Sequence, residues 1–175
     1  MATAGEQFVN VVEAGAIPFD VRRPTVMGGA LAHVGFEVLV SYIARHVLRS
    51  QKRSILELTA IHSLAVPFEG GLTAFTESPN PLGMEAPTSA QFVDGAKGVP
   101  AVFAATYIAN TFMDGLHAPR LNFQDILITS ASKILTKPLQ SVLYPYLGKS
   151  YRNGQDALNK VFINQHNAST LKMGS

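Results

Sequence analysis

The run TVMGGALAHVGFEVLVSYIARHVLR occupies residues 25–49 and is apolar for most of its length. It is longer than a typical strand, which favours a helix. His33 and Glu37 lie four residues apart within it, so on a helix they share one face. A basic cluster ends the run. The pattern predicts a helix that either crosses a membrane or lies buried in a soluble domain.

The composition of the chain is poor in charge. Charged residues make up 15% of the 175 positions, against roughly 25% in soluble domains. The hydrophobic fraction, 47%, is ordinary. Because a solvated surface normally carries charge, this composition indicates little water-facing surface. A membrane-embedded bundle fits it, and so does a soluble helical subunit covered by partner proteins.

Several functional classes find no support in the sequence. The absence of cysteine excludes disulfides and thiolate metal sites. The excess of 14 basic over 12 acidic residues is too small to indicate nucleic-acid binding. No cleaved signal peptide, hydrolase motif or Glu-x-x-His metal pair is found. We therefore predict no catalytic, cofactor-binding or metal-binding residues, no nucleic-acid partner and no enzyme activity.

Proline and glycine residues divide the chain into four apolar stretches. We predict one all-α domain over residues 1–175, a membrane-embedded bundle of about four helices with one long loop and a polar C-terminal tail. Thr25, Ser54 and Asn122 are candidate N-caps. The main helices are expected near residues 26–48, 54–75, 97–115 and 123–148, and a short one near 155–165. The other segments are the N-terminal segment 1–24, the loop 76–97 and the tail 149–175.

Three features favour the membrane, although no charge-free run reaches about 18 residues. Gly28, Ala32 and Gly35 form a small-residue face of the kind that permits close packing of membrane helices. Aromatic and basic residues gather at the ends of the stretches, as at membrane interfaces. Polar side chains in such a bundle face one another rather than lipid. We expect these inter-helix polar contacts at His33, Glu37, Glu57, His62 and Glu69.

Two further patterns bear on function. Lys133 and Lys137 lie one helical turn apart and are candidates for contacts with an anion or a lipid headgroup, or for a solvated helix face. Pro67 and Pro138 interrupt two of the apolar stretches, and broken helices with buried carboxylates are typical of transporters. A small oligomeric transporter or channel is therefore an alternative to a non-catalytic structural protein.

A family resemblance covers residues 91–165. The run KGVPAVFAATYIANTFMDGLHAPRLNFQDILITSASKILTKPLQSVLYPYLG, followed by NGQDALNKVF, resembles small multipass proteins in the inner membrane of large icosahedral double-stranded DNA viruses. The resemblance consists of an alanine-rich helix, a proline-kinked helix and the motif Tyr144-Pro145-Tyr146. It implies a virion protein that links the inner membrane to the capsid layer, beside the minor capsid proteins.

The expected partners follow from this interpretation. They are the lipid bilayer and other structural proteins of a large assembly, which are capsid proteins if the assembly is viral; a homo-oligomer is also compatible. The loop and the tail are opposite in charge, so we expect them to pair with each other or to dock separate partners. The charged residues are Glu77, Glu85 and Asp94 in the loop, and Lys149, Arg152, Lys160 and Lys172 in the tail.

Overall fold

The computed structural model describes residues 3–50, 52–76, 88–117 and 120–173, and no strand occurs among them. The all-α prediction is confirmed, but with six α-helices rather than about four. They are α1 (Ala4–Ala16), α2 (Pro24–Val47), α3 (Ile55–Thr76), α4 (Thr88–Thr111), α5 (Phe123–Leu143) and α6 (Lys149–Met173). Short 3-10 turns follow α1, α4 and α5.

The predicted loop over residues 76–97 is partly helical. α4 begins at Thr88, so Asp94 is a helical residue, and Pro100 lies inside the helix. Residues 77–87, with Glu77 and Glu85, lie outside the described residues. The prediction was wrong for 88–97 because the prolines and glycines that indicate a loop are concentrated upstream of Thr88.

The predicted polar tail is a packed helix, α6. Leu158 is buried in a cluster with Val26 and Ala30 of α2. Gln155 donates a side-chain hydrogen bond of 3.0 Å to the carbonyl oxygen of Gly29. The segment has few apolar residues, and it was expected to pair with the loop or to dock separate partners. One buried leucine and close backbone contact nevertheless hold it against α2.

Helices approach closely at glycines, but not at the predicted ones. An added Cβ at Gly29 would overlap the carbonyl oxygen of Gly154 in α6. By contrast, Gly28 and Gly35 are exposed and have no atom near an added Cβ, and Ala32 is half-buried. The prediction that Gly28, Ala32 and Gly35 form a close-packing face is therefore wrong. At 100° per residue these three residues lie opposite the positions that α2 buries, which include Val26, Ala30, Val34 and Glu37.

Only one helix of the described residues, α2, is long and apolar enough to cross a membrane, and the core helix of a soluble protein would pass the same test. Apolar packing in the bundle is divided into small clusters, such as the one formed by Val34, Val38, Leu58 and Val66 of α2 and α3. Much of the remaining interior is polar, and it forms the candidate site.

Candidate functional site: two buried ionic networks

Helix α5 presents a polar stripe to the interior of the bundle. Asp125, Thr129, Lys133, Thr136 and Gln140 are all buried, and their spacing of three or four residues places them on one helical face. The threonine hydroxyls donate hydrogen bonds to carbonyl oxygens of their own helix. Asp125 and Lys133 are the charged members of the stripe, and each is the centre of an ionic network.

The central cluster consists of His33, Glu37, His62, Glu69 and Lys133. The Lys133 ammonium donates to Glu37 Oε1 at 3.3 Å and to Glu69 Oε1, and its Nζ lies 3.3 Å from His33 Nε2. Glu37 faces both imidazoles, with His33 Nε2 3.2 Å from Oε1 and His62 Nδ1 3.4 Å from Oε2. The cluster therefore connects α2, α3 and α5.

Four of the five predicted inter-helix polar residues meet in the central cluster, and Glu57 does not. The Glu57 carboxylate accepts a 2.8 Å hydrogen bond from the Ser54 backbone N–H, and Ser54 Oγ accepts one of 3.1 Å from the Glu57 N–H. This reciprocal pair is a capping box at the start of α3. Glu57 was assigned wrongly because its spacing from Ser54 gives the carboxylate a local partner.

The structure contradicts the predicted anion contacts of Lys133 and Lys137. Lys133 is buried between Glu37 and Glu69. Lys137 forms an ion pair with Asp94 of α4. Both ammonium groups thus already face carboxylates, because α5 turns its polar stripe inward. The same pair shows that Asp94 contacts α5 rather than the predicted tail.

His33, Glu37 and Glu69 also have the composition of a metal site. Their ligand atoms, one imidazole nitrogen and two carboxylate oxygens, lie within 4.8 Å of one another. The Lys133 ammonium contacts all three side chains. A metal ion would therefore have to displace an ammonium group that already supplies the positive charge, so this geometry suits an internal ion pair better than a metal centre.

The end network consists of Arg45, Arg53, Asp125 and Thr129. Arg45 donates to Asp125 Oδ1 and, at 2.7 Å, to Thr129 Oγ1. Arg53 donates to Asp125 Oδ2 at 3.1 Å and to the carbonyl oxygen of Arg120 at 3.0 Å. One carboxylate therefore joins the end of α2, the α2–α3 connection and the start of α5. This network was not predicted from the sequence, although the spacing of polar residues along α5 indicates a polar helical face.

The two networks are unbalanced in opposite directions. In the central cluster, two carboxylates face one ammonium group. In the end network, two guanidinium groups face one carboxylate. Arg49 and Lys52 are exposed close by in the sequence and add further positive charge. Acidic partners therefore outnumber the basic one around Lys133, and basic partners outnumber the acidic one around Asp125.

Two groups outside the networks have strongly shifted pKa values. Hydrogen bonds from the Arg22 side chain and backbone lower the pKa of Asp20, which precedes α2, to about 2. Burial raises the pKa of Tyr151 in α6 to about 12, even though Gln140 donates a hydrogen bond to its hydroxyl. At neutral pH, Asp20 is therefore charged and Tyr151 is neutral, and neither alters the charge balance of the two networks.

The outer surface differs from this interior in polarity, because it carries large apolar side chains. Val47 is 73% exposed and Leu56 79% exposed, whereas Lys133 is 5% exposed. A shallow cavity of about 560 Å³ between α2, α4 and α5 is lined almost entirely by apolar side chains. Other large apolar side chains on the surface of these helices are Leu31, Leu39, Ile43, Phe92, Val93, Tyr107, Leu135 and Val142.

Comparison with models of protein families, with curated proteins and with solved structures gave no match to this chain.

Proposed function

We propose that the chain is a non-catalytic structural protein of a membrane. The observation that carries this proposal is the reversed polarity of the bundle, with paired charges inside and large apolar side chains outside. Soluble monomers rarely expose large apolar patches, and burying charge away from water has a high desolvation cost. In a bilayer, by contrast, apolar side chains contact hydrocarbon and ionisable groups pair inside the bundle.

In this proposal α2 crosses the bilayer, and α3, α4 and α5 surround it within the membrane. The central cluster then stabilises the association of these helices. Hydrophobic burial does not drive helices together inside lipid, so close packing and polar contacts have to do so. The Lys133 ion pairs and the Gly29–Gly154 contact supply both kinds of interaction. A structural role needs no more than this.

The membrane reading is tested by carbonate extraction of the full chain, combined with substitutions at Leu39, an exposed residue midway along α2. A charge at the centre of a bilayer costs about 2.5–3.5 kcal/mol on insertion scales. We therefore expect Leu39→Glu to reduce membrane integration strongly and the control Leu39→Phe to leave it unchanged. Recovery of the wild-type chain in the carbonate supernatant would favour the soluble subunit covered by protein partners.

We further propose that this membrane is the inner membrane of an icosahedral virus particle and that the chain links it to the capsid layer. The support is the resemblance of residues 91–165. Helix α6 offers a suitable contact surface, because Arg152 and Lys160 are exposed on a helix that is packed against α2. A link of this kind needs charged side chains that are held in place but still accessible.

The capsid link is tested by cross-linking mass spectrometry on the native assembly. We expect links from α6 to other structural proteins and loss of incorporation in the Arg152→Glu, Lys160→Glu double variant. A matched control is Arg23→Glu with Arg120→Glu, which reverses two exposed charges outside the α-helices. Normal incorporation of the α6 variant, or equal loss in both variants, would contradict a specific role for α6. Deleting α6 is a poorer test, because it would also remove the buried Leu158.

A second candidate function is a small proton- or cation-coupled transporter. The observation that favours it is the position of the central cluster on two proline-containing helices, with Pro67 in α3 and Pro138 in α5. A proline inside a helix removes a backbone hydrogen bond and often bends the helix. Substrate-dependent flux in proteoliposomes that is lost in Glu69→Gln would favour this candidate over the structural role.

A further inference from the structure

We propose that the end of the bundle at the α2–α3 connection binds the phosphate of an anionic phospholipid. The site is a cavity of about 540 Å³ between the end of α2 and the start of α3. Four basic residues line it, and together they are called the basic tip: Arg45, Arg49, Lys52 and Arg53. The inference rests on the proposed membrane location and adds a lipid class to it.

The charge balance of the basic tip calls for an external anion. Asp125 is its buried counter-ion, and it is already shared by Arg45 and Arg53. Arg49 and Lys52 are exposed and form no ion pair with any residue that the structure describes. The residues that line the cavity include these four cationic side chains and no carboxylate, so a phosphate group would reduce an excess of positive charge there.

Two hydrogen-bond donors at the same cavity are also unused. Arg45 Nε and Ser50 Oγ are buried, and neither has a hydrogen-bond partner among the described residues. Both residues line the cavity. Buried donors normally have an acceptor, and phosphate oxygens are strong acceptors for arginine. A small side-chain adjustment toward a bound phosphate would give these donors a partner.

The apolar residues around the basic tip indicate a lipid rather than free phosphate. Val47 and Leu48 come before the connection, Ile55 and Leu56 follow it, and all four are at least 60% exposed. Tyr42 lies at the edge of the cavity. Apolar side chains on both sides of a basic pocket, with a nearby tyrosine, match the boundary between acyl chains and headgroups.

Arg49 allows a test that separates ligand binding from folding. Its φ of 51° places it in the left-handed region at the end of α2, where glycine is the favoured residue. Arg49→Gly should therefore preserve the backbone turn while it removes a phosphate contact. The test variant combines Arg49→Gly with Lys52→Gln. The control variant, Lys149→Gln with Arg152→Gln on α6, also removes one lysine and one arginine charge.

The experiment measures thermal unfolding of the full chain in neutral detergent, titrated with phosphatidylglycerol or with phosphatidylcholine of the same acyl chains. We expect phosphatidylglycerol to stabilise the wild type and the α6 control, and phosphatidylcholine to have little effect. At about 1 kcal/mol for each basic residue near anionic lipid, the Arg49→Gly, Lys52→Gln variant should bind phosphatidylglycerol roughly tenfold or more weakly.

Three outcomes would overturn the proposal. They are equal stabilisation by the two lipids, equal binding by the tip variant and the α6 control, and equal stabilisation by inorganic phosphate without lipid. The lipid titration and the carbonate extraction can fail independently of each other. An extracted chain that still prefers phosphatidylglycerol vesicles at the tip would retain the lipid site and lose the integral membrane role, whereas a chain that resists extraction without lipid preference would show the reverse.

Discussion

The central cluster and the end network use the same kinds of side chain with opposite stoichiometry. Lys133 is shared by two carboxylates, and Asp125 is shared by two guanidinium groups. The central cluster lies midway along α2 and α5, whereas the arginines of the end network line a cavity. We infer that the first network must satisfy its charges internally, whereas the second can accept a ligand. Substitutions should therefore affect the two networks to different extents.

The largest effect is expected for Lys133→Met. Removing the ammonium leaves two buried carboxylates facing each other, and breaking a buried pair in this way costs about 3–5 kcal/mol. Unfolding in detergent, followed by circular dichroism, measures the loss. The triple variant Lys133→Met, Glu37→Gln, Glu69→Gln should recover most of it.

The matched control for Lys133→Met is Arg120→Met. Arg120 forms an ion pair with Asp114, but both side chains are more than half exposed, so no measurable loss of stability is expected. If Lys133→Met were as mild as this control, the central cluster would not hold the helices together. Failure of the triple variant to recover would indicate instead that the packing of the lysine side chain, not its charge, is what matters.

A smaller effect is expected for Asp125→Asn. Two guanidinium groups lose their counter-ion, and hydrogen bonds to charged groups contribute about 1.5–3 kcal/mol, but both arginines border a cavity that an anion can enter. Added phosphate should therefore partly restore the stability of Asp125→Asn and have no such effect on Lys133→Met. Equal responses of the two variants to phosphate would remove the distinction between the networks.

A loss of about 1–3 kcal/mol in the free energy of unfolding is expected for Gly29→Ala, because the new methyl group overlaps the Gly154 carbonyl. The control Gly28→Ala meets no atom and should stabilise α2 by about 0.5–1 kcal/mol. Because Gly29 lies one turn before His33, its loss should be non-additive with Lys133→Met and additive with Asp125→Asn. Additive losses with both Lys133→Met and Asp125→Asn would show that α2 does not transmit the displacement at Gly29 to the central cluster.

The sequence was sufficient to predict the helical class and most of the central cluster. Long apolar stretches with proline and glycine between them could hardly form strands, and Asn122 does cap α5 through the Asp125 N–H. The polar residues of α2 and α3 were expected to face each other because lipid or an apolar core offers them no alternative partner. His33, Glu37, His62 and Glu69 are found together for this reason.

The sequence was not sufficient to orient the helices. Rules for soluble proteins place a polar stripe outward, and on that basis Lys133 was assigned to the surface, whereas α5 turns it inward. The side of α2 that meets α6 depends on Gly154, more than a hundred residues away, so spacing within α2 could not separate Gly29 from Gly28. A short helix was predicted near 155–165, but the packing of α6 against α2 was not, because the low apolar content of the segment hides its buried Leu158.

The smallest effect concerns Glu57, which the sequence placed with the central cluster and the structure places in the capping box of α3. A glutamine at this position can still accept the Ser54 N–H, so Glu57→Gln should be nearly silent. Glu57→Ala removes the acceptor and should cost about 1 kcal/mol, as loss of a helix cap usually does. Differential scanning calorimetry of both variants in the Lys133→Met background measures whether the effects add. Additive losses, with glutamine tolerated, would exclude Glu57 from the central cluster, whereas a large loss in Glu57→Gln would mean that its charge contributes to that cluster after all.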